Sequence, residues 1–210
     1  MSVSKADKWF GPIGGILFVA AVAVGAPASM GIDVEPSDPA SAVVTQFREN
    51  ADDIQSGAFL TVLGLGFLLV FVGHLRNKMR EGGAGWAADG FLAGGVAVVG
   101  AWVVLTGVQL AGATAAESGH AEVAQGAVDF LWNSSLLLSP GLLAVGVAAA
   151  AASFMSAAIP KWLGVFAVVV ALGALAPWIG IVVFVAWVLA ASITELMPVR
   201  PASPTSETQT

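Results

Sequence analysis

The chain has 210 residues, of which 57% are hydrophobic and 10% charged, against about a quarter charged in an ordinary soluble domain. A water-soluble globule could not hide so much apolar side chain, so the solvent this surface suits is lipid. The lack of cysteine excludes disulfides, thiolate metal sites and cysteine nucleophiles, two histidines leave little for a metal, and a net charge of -6 without a basic stripe argues against nucleic acid.

Stretches without Asp, Glu, Lys or Arg run over 9–32, 54–75, 90–116, 130–160 and 162–194. A helix needs about 20 apolar residues to cross a bilayer, and open strands at that depth would leave backbone groups unpaired, so these stretches read as helices. The first, a span over 9–29, follows Lys5 and Lys8 and ends in Ala26-Pro27-Ala28. That pattern fits a cleaved secretory signal, but a chain whose remainder is itself multi-pass uses its first helix as a retained insertion signal, and the retained span is the reading adopted. Ser37-Asp38-Pro39 then predicts a helix start. Val43, Val44, Phe47 and Ala51 follow at helical spacing, with Gln46, Arg48, Glu49 and Asp53 between them. This is either a short amphipathic helix lying on the outer membrane face or a plain solvated connector.

The second span covers 55–75 and carries His74 as its one titratable group; a basic, Gly-rich segment follows, and the third and fourth spans cover 89–112 and 130–156. The stretch 162–194 would make a helix about 50 Å long, more than one crossing. Pro177 stands at its centre between Gly173 and Gly180, and proline removes a backbone donor and clashes with the preceding turn. A helical hairpin with spans over 162–176 and 178–194 is predicted, a single kinked helix being the alternative. Residues 198–210, rich in Pro, Ser and Thr, read as a disordered tail.

With six crossings, Lys5, Lys8, Arg76, Lys78, Arg80, Lys161 and Arg200 share one side and only Arg48 falls on the other, so the positive-inside rule makes both termini cytoplasmic. Asp33, Glu35, Asp38, Glu49, Asp52, Asp53, Glu117, Glu122 and Asp129 take the outer side. Trp9, Trp86, Trp102, Trp132, Trp162, Trp178 and Trp187 fall mostly near span ends, as interfacial anchors do. Gly11 with Gly15, and Gly107 with Ala111, have the four-residue spacing that permits close helix contact in lipid.

Gly11-Pro12-Ile13-Gly14-Gly15, the acidic outer segment, His74-Leu75-Arg76 at the end of the second span and the junction Ile159-Pro160-Lys161-Trp162-Leu163-Gly164 resemble uncharacterised six-span actinobacterial membrane proteins of the domain-of-unknown-function type. The Pro-Lys-Trp-Leu-Gly junction with its proline-broken hairpin is the most specific part. The resemblance implies six spans and a cytoplasmic carboxyl terminus, and no catalytic residue.

Polar groups at membrane depth are costly and mark where function is sought. Thr106 and Gln109 lie about one turn apart near the outer end of the third span, and Asp129 and Asn133 share a face where the fourth begins, followed by Ser135 and Ser139. Together these six predict an outward-facing polar cleft. The competing structural reading has the serines bonded to their own helix and Gln109 clamped to Asn133. His74 reads as interfacial, because a proton relay needs a carboxylate and the one candidate, Asp89, equally suits a helix cap. Glu117 and His120 repeat the spacing of di-iron helices once, in a loop, where chance explains it. No nucleophilic triad or phosphate loop emerges.

The sequence thus predicts an all-α polytopic transmembrane helical bundle of six spans, five being the alternative, with residues 1–197 as one domain. It predicts a non-enzymatic accessory or scaffolding subunit without catalytic, cofactor or metal residues, in the plasma membrane of a prokaryote. Its partners are the lipid bilayer and a membrane protein or second copy. The alternative is a small-solute transporter or channel using the polar cleft.

Overall fold

The structure, a computed structural model, describes residues 7–30, 33–156 and 158–197; the side chains of Asp7, Lys8, Ser29, Met30 and Ser135 also lie outside the description. So do Lys5, Arg200 and the predicted tail 198–210. The described chain is all helical: α1 (Asp7–Met30), α2 (Ala40–Glu49), α3 (Ala51–Glu81), α4 (Gly85–Glu117), α5 (Ala121–Asn133), a 3-10 turn (Ser135–Leu138), α6 (Ser139–Met155), α7 (Lys161–Gly173) and α8 (Pro177–Leu196). Five of the apolar helical stretches, within α1, α3, α4, 136–155 and α8, are long and apolar enough to cross a membrane, and α7 is a shorter apolar helix.

These helices pack as an antiparallel bundle. Arg76, Lys78, Arg80 and Lys161 lie at one end, hereafter the basic end, where the α3–α4 loop meets the α6–α7 loop: a methyl on Gly82 would sit 2.7 Å from Ala158 Cβ. The acidic end collects Glu35, Asp38, Glu49, Asp52, Asp53, Glu117, Glu122 and Asp129 with Arg48. Helix α8 finishes beside α3 at the basic end through the Lys78–Glu195 ion pair, so 162–194 is a hairpin and not one kinked helix. The break follows from Pro177, which occupies the first turn of α8, where its missing N–H needs no partner. Tight i→i+3 bonds, Ala174 N to Ala171 O and Ala176 N to Gly173 O, finish α7. Gly173 and Gly180 then touch backbone to backbone, since a Cβ on Gly173 would lie 2.7 Å from Gly180 Cα.

Both long-helix exits use a glycine in the left-handed region, Gly83 (φ 86°) and Gly119 (φ 81°). After each, the chain bonds back onto the helix, Ala84 N to Met79 O at 2.9 Å and His120 N to Ala115 O at 2.8 Å, the arrangement that satisfies terminal carbonyls and that a Cβ would strain.

The expected fourth span over 130–156 needs correction. Helix α5 stops at Asn133, a 3-10 turn intervenes, and the crossing helix α6 starts at Ser139. Pro140 stands in the first turn of α6, where its missing N–H needs no partner. The helix that carries the third span is longer than the expected 89–112, running from Gly85 to Glu117.

Packing in the bundle runs through small residues. On α4 and α6, a Cβ on Gly94 would lie 2.7 Å from Val145 N, and one on Gly141 would lie 2.8 Å from Val98 N. On α1, Gly11 abuts His74 of α3, and Gly15 abuts Ser192 of α8 and Phe71 of α3. Gly107 and Ala111, the other predicted contact pair, face outward, with nothing within 4 Å of a Cβ on Gly107. Aromatic rings fill the centre: Phe18 meets Trp102 edge-on at 6.2 Å and Phe184 at 6.3 Å, while Trp187 meets Phe71 at 6.4 Å and Phe91 at 5.9 Å. Trp102 and Trp187 are therefore core residues and not anchors, and the indole N–H of Trp187 donates to Leu163 O at 3.0 Å. Trp9, Trp86 and Trp162 are exposed at the basic end and Trp132 and Trp178 at the acidic end, as interfacial rings should be.

Because backbone fills the space beside Gly94, the Gly94→Val substitution forces α4 and α6 apart and is expected to destabilise the protein by about 1–3 kcal/mol. Thermal unfolding in detergent checks this, with Gly107→Val, which meets open space, expected to unfold like the parent.

Candidate functional site

The acidic end carries a second, separate core. Val34, Val43, Phe47, Ile54, Ala113, Ala116, Ala124, Ala127 and Val128 form a cluster apart from the bundle's main one. Helix α2 turns Val43 and Phe47 inward against α5 and the far end of α4. Its apolar face is thus covered by protein, and neither expectation, a helix lying on the membrane face or a solvated connector, describes it. A Cβ on Gly112 would lie 2.6 Å from Phe47 Cζ, so the ring fits only because position 112 has no side chain. The helix start expected at Ser37-Asp38-Pro39 is made without a side-chain cap: Pro39 precedes the helix, and Asp38 instead accepts a bond from Glu35 N at 2.7 Å.

Three side-chain bonds close this cap. Arg48 Nε donates to Ala116 O at 2.7 Å, a cation on the carbonyl end of α4 where the helix dipole favours it. Gln125 Nε2 donates to Pro36 O at 3.0 Å and Trp132 Nε1 to Val34 O at 3.2 Å, pinning the segment before α2 onto α5.

The six residues of the predicted polar cleft are placed as follows. Thr106 is buried in α4 and Gln109, one turn on, is half-buried. Asp129 and Asn133 are exposed on α5, where Asn133 Nδ2 donates to Asp129 O at 2.7 Å and closes its own helix end. Ser139 Oγ donates across the bundle to Ala174 O at 2.7 Å and fastens the α7–α8 turn to the start of α6. The side chain of Ser135 lies outside the described residues. The one hydrogen bond between members of the set among the described residues is that from Asn133 to Asp129, so the Gln109–Asn133 clamp does not form. Glu117 and His120 are exposed, and among the described residues no three His, Cys, Asp or Glu side chains group as metal ligands.

At the basic end the structure assembles groups that sequence reasoning did not connect. Asp89 neither caps α4 nor reaches His74; it bridges Arg76 at 3.0 Å and Arg80 at 3.1 Å, clamping the α3–α4 loop. The carboxylates that act on His74 are Glu81 of its own helix and Glu195 of α8, and Glu195 ion-pairs with Lys78 one turn beyond His74. Nothing short-range marks that meeting, because the partners stand 117 residues apart. The one legible signal is Glu195 itself, an acid at the basic end of an apolar helix. Beside the α6–α7 loop an open groove of about 490 Å³ is lined by Ser153, Phe154, Met155, Ser156, Ile159, Pro160 and Lys161.

Comparison of the chain with protein-family models, curated proteins and solved structures gives no match.

The cap stands on Phe47. Truncation by Phe47→Ala is expected to weaken it by about 3–5 kcal/mol, so amide hydrogen exchange should rise in α2 and α5 and stay unchanged in α7 and α8.

Proposed function

We propose that this membrane-embedded chain is a non-enzymatic accessory or scaffolding subunit whose cap is the platform offered to a membrane-protein partner or second copy. The observation that carries the reading is the second core: α2, α5 and the extended ends of α3 and α4 build a folded unit beyond the apolar belt. A bundle needs only short links between its helices; here the links are made into structure. The polar groups nearest the cap support the same reading, because Asn133 and Ser139 hold backbone carbonyls at the junction between cap and bundle. The excess of Arg and Lys at the opposite end orients the cap away from the cytoplasm by the positive-inside rule. A prokaryotic plasma membrane, and membership of the six-span actinobacterial group named above, belong to the same proposal.

The test is gentle extraction from native membranes and size analysis of the complex. A second component at stoichiometric level, lost when Arg48→Ala and Phe47→Ala disrupt the cap, is expected; recovery of the chain as a lone protomer would overturn the proposal. The rival reading, a small-solute transporter, rests on buried Thr106 with half-buried Gln109 in α4. It requires that Gln109→Leu with Asn133→Leu reduce solute flux in reconstituted vesicles. The scaffold reading expects that pair of substitutions to leave flux at the level of protein-free vesicles.

A further inference from the structure

His74 is a titratable side chain that the cap and its partner do not use. It lies on α3 one turn before Lys78 and so on the same face. Its ring fills the space left by the missing side chain of Gly11 on α1, where a Cβ would overlap the imidazole. Its Nε2 is sealed from solvent and has no hydrogen-bond partner. Lys78, half-exposed, holds Glu195 of α8, whose side chain is only 13% exposed. The charged groups acting on His74 are Lys78 and Glu81 from its own helix and Glu195 from α8; from α1 the side chains of Asp7 and Lys8 lie outside the described residues.

A neutral imidazole leaves Nε2 as a buried, unsatisfied acceptor or donor, which is costly. A protonated imidazolium makes both nitrogens donors, and a buried charged donor requires an acceptor of opposite charge. Glu195 is such an acceptor, largely shielded from solvent and held by Lys78 one turn along the same face of α3. Lys78 can surrender it at little loss, since a half-exposed ammonium on a flexible stem reaches water.

We propose that His74, Lys78 and Glu195 form a proton-operated latch, in which protonation of His74 from the basic-end solvent moves Glu195 from Lys78 to His74. The exchange draws the end of α8 toward α1 and releases Lys78 to water. One proton is taken up and no other group changes its protonation. The two pairings are the two states, and the protonation of His74 selects between them.

The native chain has no cysteine, so spin labels placed by Asn77→Cys and Met197→Cys report the separation of α3 and α8 in lipid nanodiscs. A shift in that distance on going from about pH 8 to pH 5 is expected in the parent and in His120→Gln. The shift should vanish in His74→Gln and in Glu195→Gln. A shift that persists in His74→Gln, or a parent that shows none, would overturn the latch. Should Glu195→Gln fail to fold, Lys78→Met provides the second arm through the imidazole nitrogen resonances of labelled histidine, assigned with His120→Gln. Removing the competing cation should raise the His74 midpoint by about one pH unit, a tenfold gain in proton affinity, and an unmoved midpoint would refute the shared carboxylate.

Discussion

Lipid as the solvent governs every contact in this bundle. An apolar side chain gains no more from a neighbouring helix than from acyl chains, so hydrophobic transfer, which holds soluble cores together, contributes little between these helices. Association depends on van der Waals contact at close approach, and close approach requires small residues. The helix contacts obey that requirement: Gly94 and Gly141 join α4 to α6, Gly173 and Gly180 join α7 to α8, and Gly11 with Gly15 seats α1 against α3 and α8. Large rings appear where three or four helices converge and leave a central space, and Phe18, Trp102, Phe184 and Trp187 occupy it.

The cap obeys different physics. Val43 and Phe47 lie on α2, before the apolar stretch of α3, and Ile54 is the first residue of that stretch, next to Asp52 and Asp53; there burial from water is again worth about 25 cal/mol per Å². The chain therefore has two cores stabilised in two ways, and α4 belongs to both. Its 33 residues pass through the belt and end under α2 and α5. A shorter α4 would cross the membrane equally well but would leave the cap without a floor.

Most of the bundle is legible in the sequence because its causes are local. Long charge-free runs, the missing N–H of Pro177 and the one-sided distribution of Arg and Lys each act within a few residues, and the structure realises them as apolar helices, a hairpin and a basic end. The place of Pro140 in the first turn of α6, by contrast, depends on α5 ending early to fold into the cap. What was not legible is which neighbour covers an apolar stripe. The spacing of Val43 and Phe47 is the same whether lipid or α5 lies beneath, and the Trp102 and Trp187 indoles look like anchors until α1, α3 and α4 close around them. Of the candidate polar residues, Ser139 proves to bind Ala174, an acceptor that exists only once the α7–α8 turn has formed.

The basic end joins these arguments. Glycine at position 11 lets α1 approach α3 until the His74 imidazole becomes part of the interface, and the same approach excludes the water that would otherwise answer Nε2. Close packing by small residues, which the lipid environment demands, thus isolates a titratable ring as a consequence. Meanwhile α8 returns to this end because the hairpin at Pro177 reverses it, and with it comes Glu195, the acid that pairs with Lys78 one turn from the isolated ring. Had 162–194 been a single kinked helix, Glu195 would lie at the opposite end of the bundle and Lys78 would have no counter-charge from α8. The geometry of the ionisable cluster is therefore set by a proline 18 residues before Glu195 in the chain and a glycine on the first helix, neither of which carries charge.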